Sequence, residues 1–278
     1  MKYEDACQLS PPDFKRRFGV QPETFEMMLD VLQAAQPSQP VPGQKPKLNQ
    51  GEQLLVTLEY WREYCTYFHI ACDWGVSEST VCRIVQRVEK TLMDSGKFRL
   101  AGKKRLYSET DSPEVVLLDV TETPIERPKY HQCSFYSGKK KQHTLKLQLV
   151  IEQATGEIIC LSCGAGKSHD FALFKASGVR IHPKIVSIQD SGYQGIGAYH
   201  ANSYVPKKKP RDGELSALEK QYNRALGRER IGIEHVNRRL KVFKILAGRY
   251  RNRRRRYGLR CNLLAAIYNY ELKLMTAA

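Results

Sequence analysis

Three carboxylates in this 278-residue chain stand where side chains could hold metal ions for phosphodiester chemistry. Asp119 ends the apolar run VVLLD. Asp190 ends a second run, KIVSIQD, ahead of the glycine-containing turn SGYQG. Carboxylates at the ends of two core strands can converge at one edge of a sheet. Aspartate is also a common strand terminator and turn former, so neither position is specific alone. The third is Glu234, within RERIGIEHVNRRLKVF. Arg230, Glu234 and Lys241 are spaced by four and seven, and at roughly 100° per residue they fall within about 40° of one another on a helix. That face is either a solvated row with i,i+4 pairing or a metal-binding glutamate flanked by two cations for phosphates.

Cutting a phosphodiester needs a water made nucleophilic and a leaving oxygen stabilised, and two metal ions about 3.5–4 Å apart do both. Mg²⁺ prefers oxygen ligands, which makes carboxylates its natural holders, and Mn²⁺ is an expected substitute. The same site could let a freed 3′-hydroxyl attack a second phosphodiester. Other residues compete for these roles. Glu122 follows Asp119 by three and in an extended strand points to the opposite face. His169 and Asp170 sit where a strand passes into a helix, where capping is the simpler role for Asp170. His235 adjoins Glu234 but points about 100° away on a helix. Cys160 and Cys163 form one C-x-x-C in a strand pattern, with no second pair at zinc spacing.

Lys and Arg total 45 against 29 Asp and Glu, a net charge of +16. Such an excess attracts polyanions, with nucleic acid foremost. The stretch FHIACDWGVSESTVCRIVQRV has a helix-turn-helix pattern. Ala71 is small where two helices would cross, Gly75 suits a turn with positive φ, and Ser77 is a good N-cap. Val81 and Ile84 would bury the second helix. Its early residues would face DNA bases, which makes Ser79, Thr80, Arg83 and Arg87 the candidate contacts. An ordinary helical hairpin is the plainer alternative. Lys139, Lys140 and Lys141 form a basic turn; Lys207–Lys209 with Arg211, and the arginines from Arg249 to Arg256, form two more. Together they read as phosphate tracks that add affinity without sequence choice.

Two short helices are expected in residues 1–36, a proline-rich linker at 37–49, helices over 50–100, and strands from about 113 giving way to helices after 213. This is an α/β (α+β) pattern, a mixed sheet flanked by helices behind a small all-α domain. No apolar run is long enough to span a membrane, and the opening MKYEDACQLS lacks the apolar core of a signal peptide. A cytoplasmic protein with reduced thiols is expected.

The pieces LLDVTETPIERP, FYSGKKKQHTLKLQLVI, GKSHDF, QDSGYQGI and RERIGIEHVNRRLKVFK jointly resemble the DDE transposases of the insertion-sequence-five group of bacterial mobile elements. That family's signature near its glutamate is Tyr, two residues, Arg, three residues, Glu, six residues, Lys; Arg230, Glu234 and Lys241 match it, and Gly227 stands in the tyrosine position. The resemblance implies an RNase H-like catalytic domain over 105–278 behind a helix-turn-helix domain over 50–100. It implies Asp119, Asp190 and Glu234 as catalytic metal ligands for two Mg²⁺, with Arg230 and Lys241 at the DNA. The implied reaction is hydrolysis at the element's inverted-repeat ends and joining of the 3′-hydroxyls to target DNA. Such enzymes act on double-stranded DNA as homodimers or higher oligomers, here in a bacterial cytoplasm at the nucleoid. Two alternatives remain: a DNA-binding regulator that has lost catalysis, and an RNase H-like nuclease that cuts without joining.

Overall fold

The computed structural model describes residues 3–36, 46–108 and 110–277. Most of the expected proline-rich linker, residues 37–45, lies outside the described residues. The chain divides into two compact units: Met1–Arg99 with Lys241–Gly248 and Leu263–Ala278, and Leu100–Leu240 with Arg249–Asn262.

The first unit is helical. Its elements are α1 (Tyr3–Cys7), α2 (Pro11–Phe18), α3 (Pro22–Ala34), α4 (Gln50–Glu63), α5 (Tyr67–Trp74) and α6 (Glu78–Asp94). Caps explain several of the starts. Ser10 accepts from the Asp13 amide ahead of two prolines in the first turn, and Asn49 with Glu52 forms a full capping box. Pro22 opens α3 without a side-chain cap. Two buried acids tie the helices together. Glu59 accepts from the Trp74 indole at 2.9 Å and pairs with Arg17 at 2.6 Å, while Glu89 accepts from Trp61. The 1–36 segment, expected to stand apart, packs into this unit. So does the end of the chain, expected within the catalytic region: Glu271 accepts from the Gln21 amide and from Lys15, and Tyr270 packs edge-on against Phe98. Which helix pairs with which depends on apolar faces matched across long separations, and local pattern does not report that.

The second unit holds the sheet: β1 (Val115–Pro124), β2 (Tyr136–Ser137), β3 (Gln142–Glu152), β4 (Ile158–Ala165), β5 (Val186–Gln189) and β6 (Ser203–Tyr204). Its helices are α7 (Gln132–Phe135), α8 (Asp170–Ser177), α9 (Ala217–Glu229) and α10 (Ile231–Leu240). After α11 (Lys244–Ala247) in the first unit, α12 (Tyr257–Ala277) starts in the second. β3 lies antiparallel between β1 and β4, while β1, β5 and β6 run parallel. This mixed sheet with flanking helices is an RNase H-like arrangement. Alternation along β1 gives it two faces. Val116 and Leu118 join Phe174 of α8 and Tyr193 in one core cluster. Asp119 and Thr123 face the other way, Asp119 toward Asn237 of α10 and Thr123 toward the Tyr257 hydroxyl of α12.

Leu118 is fully buried in the strand that carries Asp119. Leu118→Ala is expected to cost about 2–5 kcal/mol. Urea unfolding would show this as a lower midpoint with an unchanged slope, and an unchanged midpoint would contradict the packing described.

Candidate functional site

Register places the two aspartates together. β1 and β5 pair with Leu117 opposite Ile188 and Leu118 opposite Gln189. The next residues are Asp119, still within β1, and Asp190, just past the end of β5. Asp190 turns back to accept the Gly192 amide at 2.7 Å. Asp119 accepts from the Asn237 amide group at 2.8 Å and is 3.4 Å from the Arg230 guanidinium. Burial pushes the Asp119 carboxyl up to about 6; Arg230 opposes the rise, and the negative charges of Asp190 and Asp170 add to it. Burial also holds the Tyr193 hydroxyl well above its ordinary range, with Asp119, Asp170 and Asp190 adding to the shift.

Asp170 is the member that sequence reasoning underrated. It does not cap α8: His169 holds the cap position without a side-chain hydrogen bond, and Asp170 is the first helical residue. Its carboxylate takes the Lys146 ammonium at 2.7 Å. Lys146 is 8% exposed and also lies 4.0 Å from Glu122, whose other oxygen accepts from Thr144. The lysine stands directly opposite Glu122 in the β1–β3 ladder. A lysine between two leucines of a strand, in the run LKL, was the available signal for this arrangement. Glu122 itself lies on the face opposite Asp119, as strand alternation predicts.

Glu234 stands differently. It is exposed on α10, between buried Ile233 and Val236. The continuous helix expected over 228–243 is not formed. Arg230 closes α9, α10 ends at Leu240, and Lys241 lies beyond it. Gly227 and Gly232 flank the break, and glycine weakens helix on either side of it. The row of three therefore does not form; Arg230 and Asn237 are the residues that reach Asp119. Among the described residues, no three His, Cys, Asp or Glu side chains stand close enough to hold a metal ion. The pair Asp119 and Asp190 still suits a divalent cation: both are oxygen donors, they repel one another, and Asn237 Oδ1 is buried with no hydrogen-bond partner.

In the first unit, α5 ends at Gly75 with φ 62°, and Ser77 caps α6 by accepting the Thr80 amide. Ile70, Ala71, Val81 and Ile84 are buried between the helices. Ser79, Arg83 and Arg87 are exposed on α6 and Thr80 is half-buried, with Arg83 donating to the Thr80 hydroxyl. Lys139, Lys140 and Lys141 are exposed in the turn before β3. All eight cysteines are free thiols. No helix among the described residues is long and apolar enough to cross a membrane.

Residues 118–269 match the family model described as DDE superfamily endonuclease. Residues 46–98 match the one described as helix-turn-helix of DDE superfamily endonuclease. A protein of Microchaete diplosiphon named as a probable transposase for insertion sequence element IS702 is 53% identical over 274 residues, 99% of each chain. A protein of Streptomyces albus G named as a candidate transposase for insertion sequence element IS112 is 26% identical over 231 residues, 82% of this chain and 83% of that one.

Two outcomes test the geometry. A Cβ on Gly192 would lie 2.5 Å from Asp170 Oδ2 and 2.9 Å from Asp190 Oδ1. Gly192→Ala should therefore displace both carboxylates and lower DNA cleavage at least tenfold, with thermal unfolding little changed; full activity would refute the crowding. The second concerns pH. Because the folded Asp119 pKa of about 6 exceeds its ordinary value of 3.8, its ionisation costs stability as pH rises through 6, by roughly 3 kcal/mol once complete. Asp119→Asn should be more stable than the parent at pH 8, with the advantage gone near pH 4. An advantage independent of pH would contradict this account.

Proposed function

This chain belongs to the DDE superfamily of transposase endonucleases, with a helix-turn-helix ahead of its endonuclease region, and from that premise we propose that it cuts the ends of its own element and joins them to target DNA. The observation carrying this reading is the register that sets Asp119 beside Asp190 at neighbouring parallel strands. Asp119, Asp190 and Glu234 are the proposed metal ligands. Glu234 precedes Asn237 by three within α10, and Asn237 reaches Asp119, so helical spacing supports a place for the glutamate on that side. Two bound Mg²⁺ would supply a nucleophilic water and stabilise the leaving oxygen, with Mn²⁺ able to substitute.

The chain's own residues do the positioning. Asn237 and Arg230 fix both oxygens of Asp119, and the Gly192 amide fixes Asp190. Lys146 ties down Asp170 and keeps part of the acidic charge compensated. Arg230 is also the cation nearest the aspartates for a DNA phosphate, and Lys241, beyond α10, is assigned to DNA as well. Ser79, Thr80, Arg83 and Arg87 are proposed to read the inverted repeats from α6, in the manner of a recognition helix in the major groove. Lys139, Lys140 and Lys141 would hold backbone phosphates. Joining requires two ends to be held together, which supports a homodimer or higher oligomer on DNA, acting in the cytoplasm at the nucleoid.

Asp190→Asn and Glu234→Gln, assayed on a plasmid carrying the element's ends in Mg²⁺, should each lower cleavage at least a hundredfold while end binding in a gel-shift assay stays within about threefold. Loss of binding in parallel with cleavage would sink the assignment. Binding by the wild type with no metal-dependent cutting would favour the regulator.

A further inference from the structure

Past the end of β1, beyond the stretch that pairs with β5, the second unit contains a cavity of about 680 Å³. Arg127 lies just past the end of β1, His143 near the start of antiparallel β3, and Lys167 just past the end of β4. All three therefore gather beyond the end of β1, on the far side of Thr123 and Pro124 from Asp119. Tyr136 and His143 are ladder partners and meet edge to face, with ring centroids 5.6 Å apart. Tyr136 is 44% exposed. Arg127 is steadied by its Nε, which donates to Gln132 Oε1 at 2.9 Å. Its terminal nitrogens and the Lys167 ammonium have no partner among the described residues. Lys167 is anchored through its backbone, which donates to the Ser134 carbonyl. No acidic residue lines the cavity.

Cations alone would make a backbone track for duplex DNA. Here they frame a concavity in the size range of small-molecule sites, with an accessible aromatic ring on its wall. Aromatic rings beside a cationic groove are how proteins take unpaired bases, since every base has a face to stack. Resting on the DNA-cutting reading above, we propose that this cavity seats one unpaired nucleotide of the strand being processed. Its base stacks at Tyr136 beside His143, and its phosphate lies between Arg127 and Lys167. A base can enter only where the duplex is opened, so the pocket would favour ends that fray or are already cut.

The test uses the full chain and a single-stranded thymidine tetranucleotide carrying one 2-aminopurine, alongside a 20-base-pair duplex of unrelated sequence. Binding of the tetranucleotide should quench the 2-aminopurine. Tyr136→Leu should weaken that binding about tenfold and abolish the quench, Tyr136→Phe should preserve both, and duplex affinity should hold within about twofold. Arg127→Gln should weaken tetranucleotide binding while leaving residual quench. An unchanged tetranucleotide affinity in Tyr136→Leu, or equal losses for tetranucleotide and duplex, would overturn the proposal and leave a plain phosphate track. Should Tyr136→Leu fail to fold, equal affinities of wild type and Arg127→Gln for the tetranucleotide would overturn it instead. Failure of the cutting reading would show separately, as absent Mg²⁺-dependent cleavage by the wild type.

Discussion

The second unit is organised around two like charges held side by side by backbone pairing. Once β1 and β5 pair in parallel with Leu118 opposite Gln189, Asp119 and Asp190 become neighbours whether or not their side chains favour it. Burial and mutual repulsion then work against ionisation, which is why the Asp119 carboxyl is pushed up to about 6. Folding has to supply that free energy from elsewhere, and the fully buried Val116, Leu117 and Leu118 immediately before the aspartate are a direct source. Perturbed carboxylates of this kind mark sites built for chemistry more often than sites built for stability.

The surrounding residues divide the electrostatic work. Arg230 at the α9–α10 junction and Asn237 within α10 bind the two Asp119 oxygens separately. On the other face of the sheet, Lys146 sits between Asp170 and Glu122 with little access to water. A cation there offsets acidic charge close to the aspartates without occupying the place between them. The break at Arg230 and the end of α10 at Leu240 leave Lys241 outside the helix that carries Glu234, while Arg230 and Asn237 meet at Asp119. Glu234 is left exposed on the solvent side of that pairing.

Much of this was legible in the residues. The runs VVLLD and KIVSIQD read directly as core strands ending in aspartate, because buried strands are apolar on both faces. Gly75, Ser77 and the apolar set around them read as a helix-turn-helix because turn, cap and core leave distinct local signals. Less legible were features set by partners distant in sequence. The ion pair of Asp170 with Lys146 joins residues 24 apart, and a local rule saw only an Asp at a helix start. The packing of the chain's end with its beginning, through Glu271 and Gln21, is 250 residues apart and leaves no periodic trace. The helix break went unseen because charge spacing was read on an ideal helix, while Gly227 and Gly232 weaken the real one.

Asp119, Asp190 and Glu234 are proposed to share bound metal. Replacing Mg²⁺ by Fe²⁺ and adding ascorbate and peroxide generates radicals that cut the polypeptide close to the bound ion, and mass spectrometry maps the cuts. The account predicts cuts clustered in three segments, around 119, 190 and 234, suppressed by excess Mg²⁺ and lost in Asp190→Asn. Cuts absent from any of the three segments, or unchanged in Asp190→Asn, would contradict it.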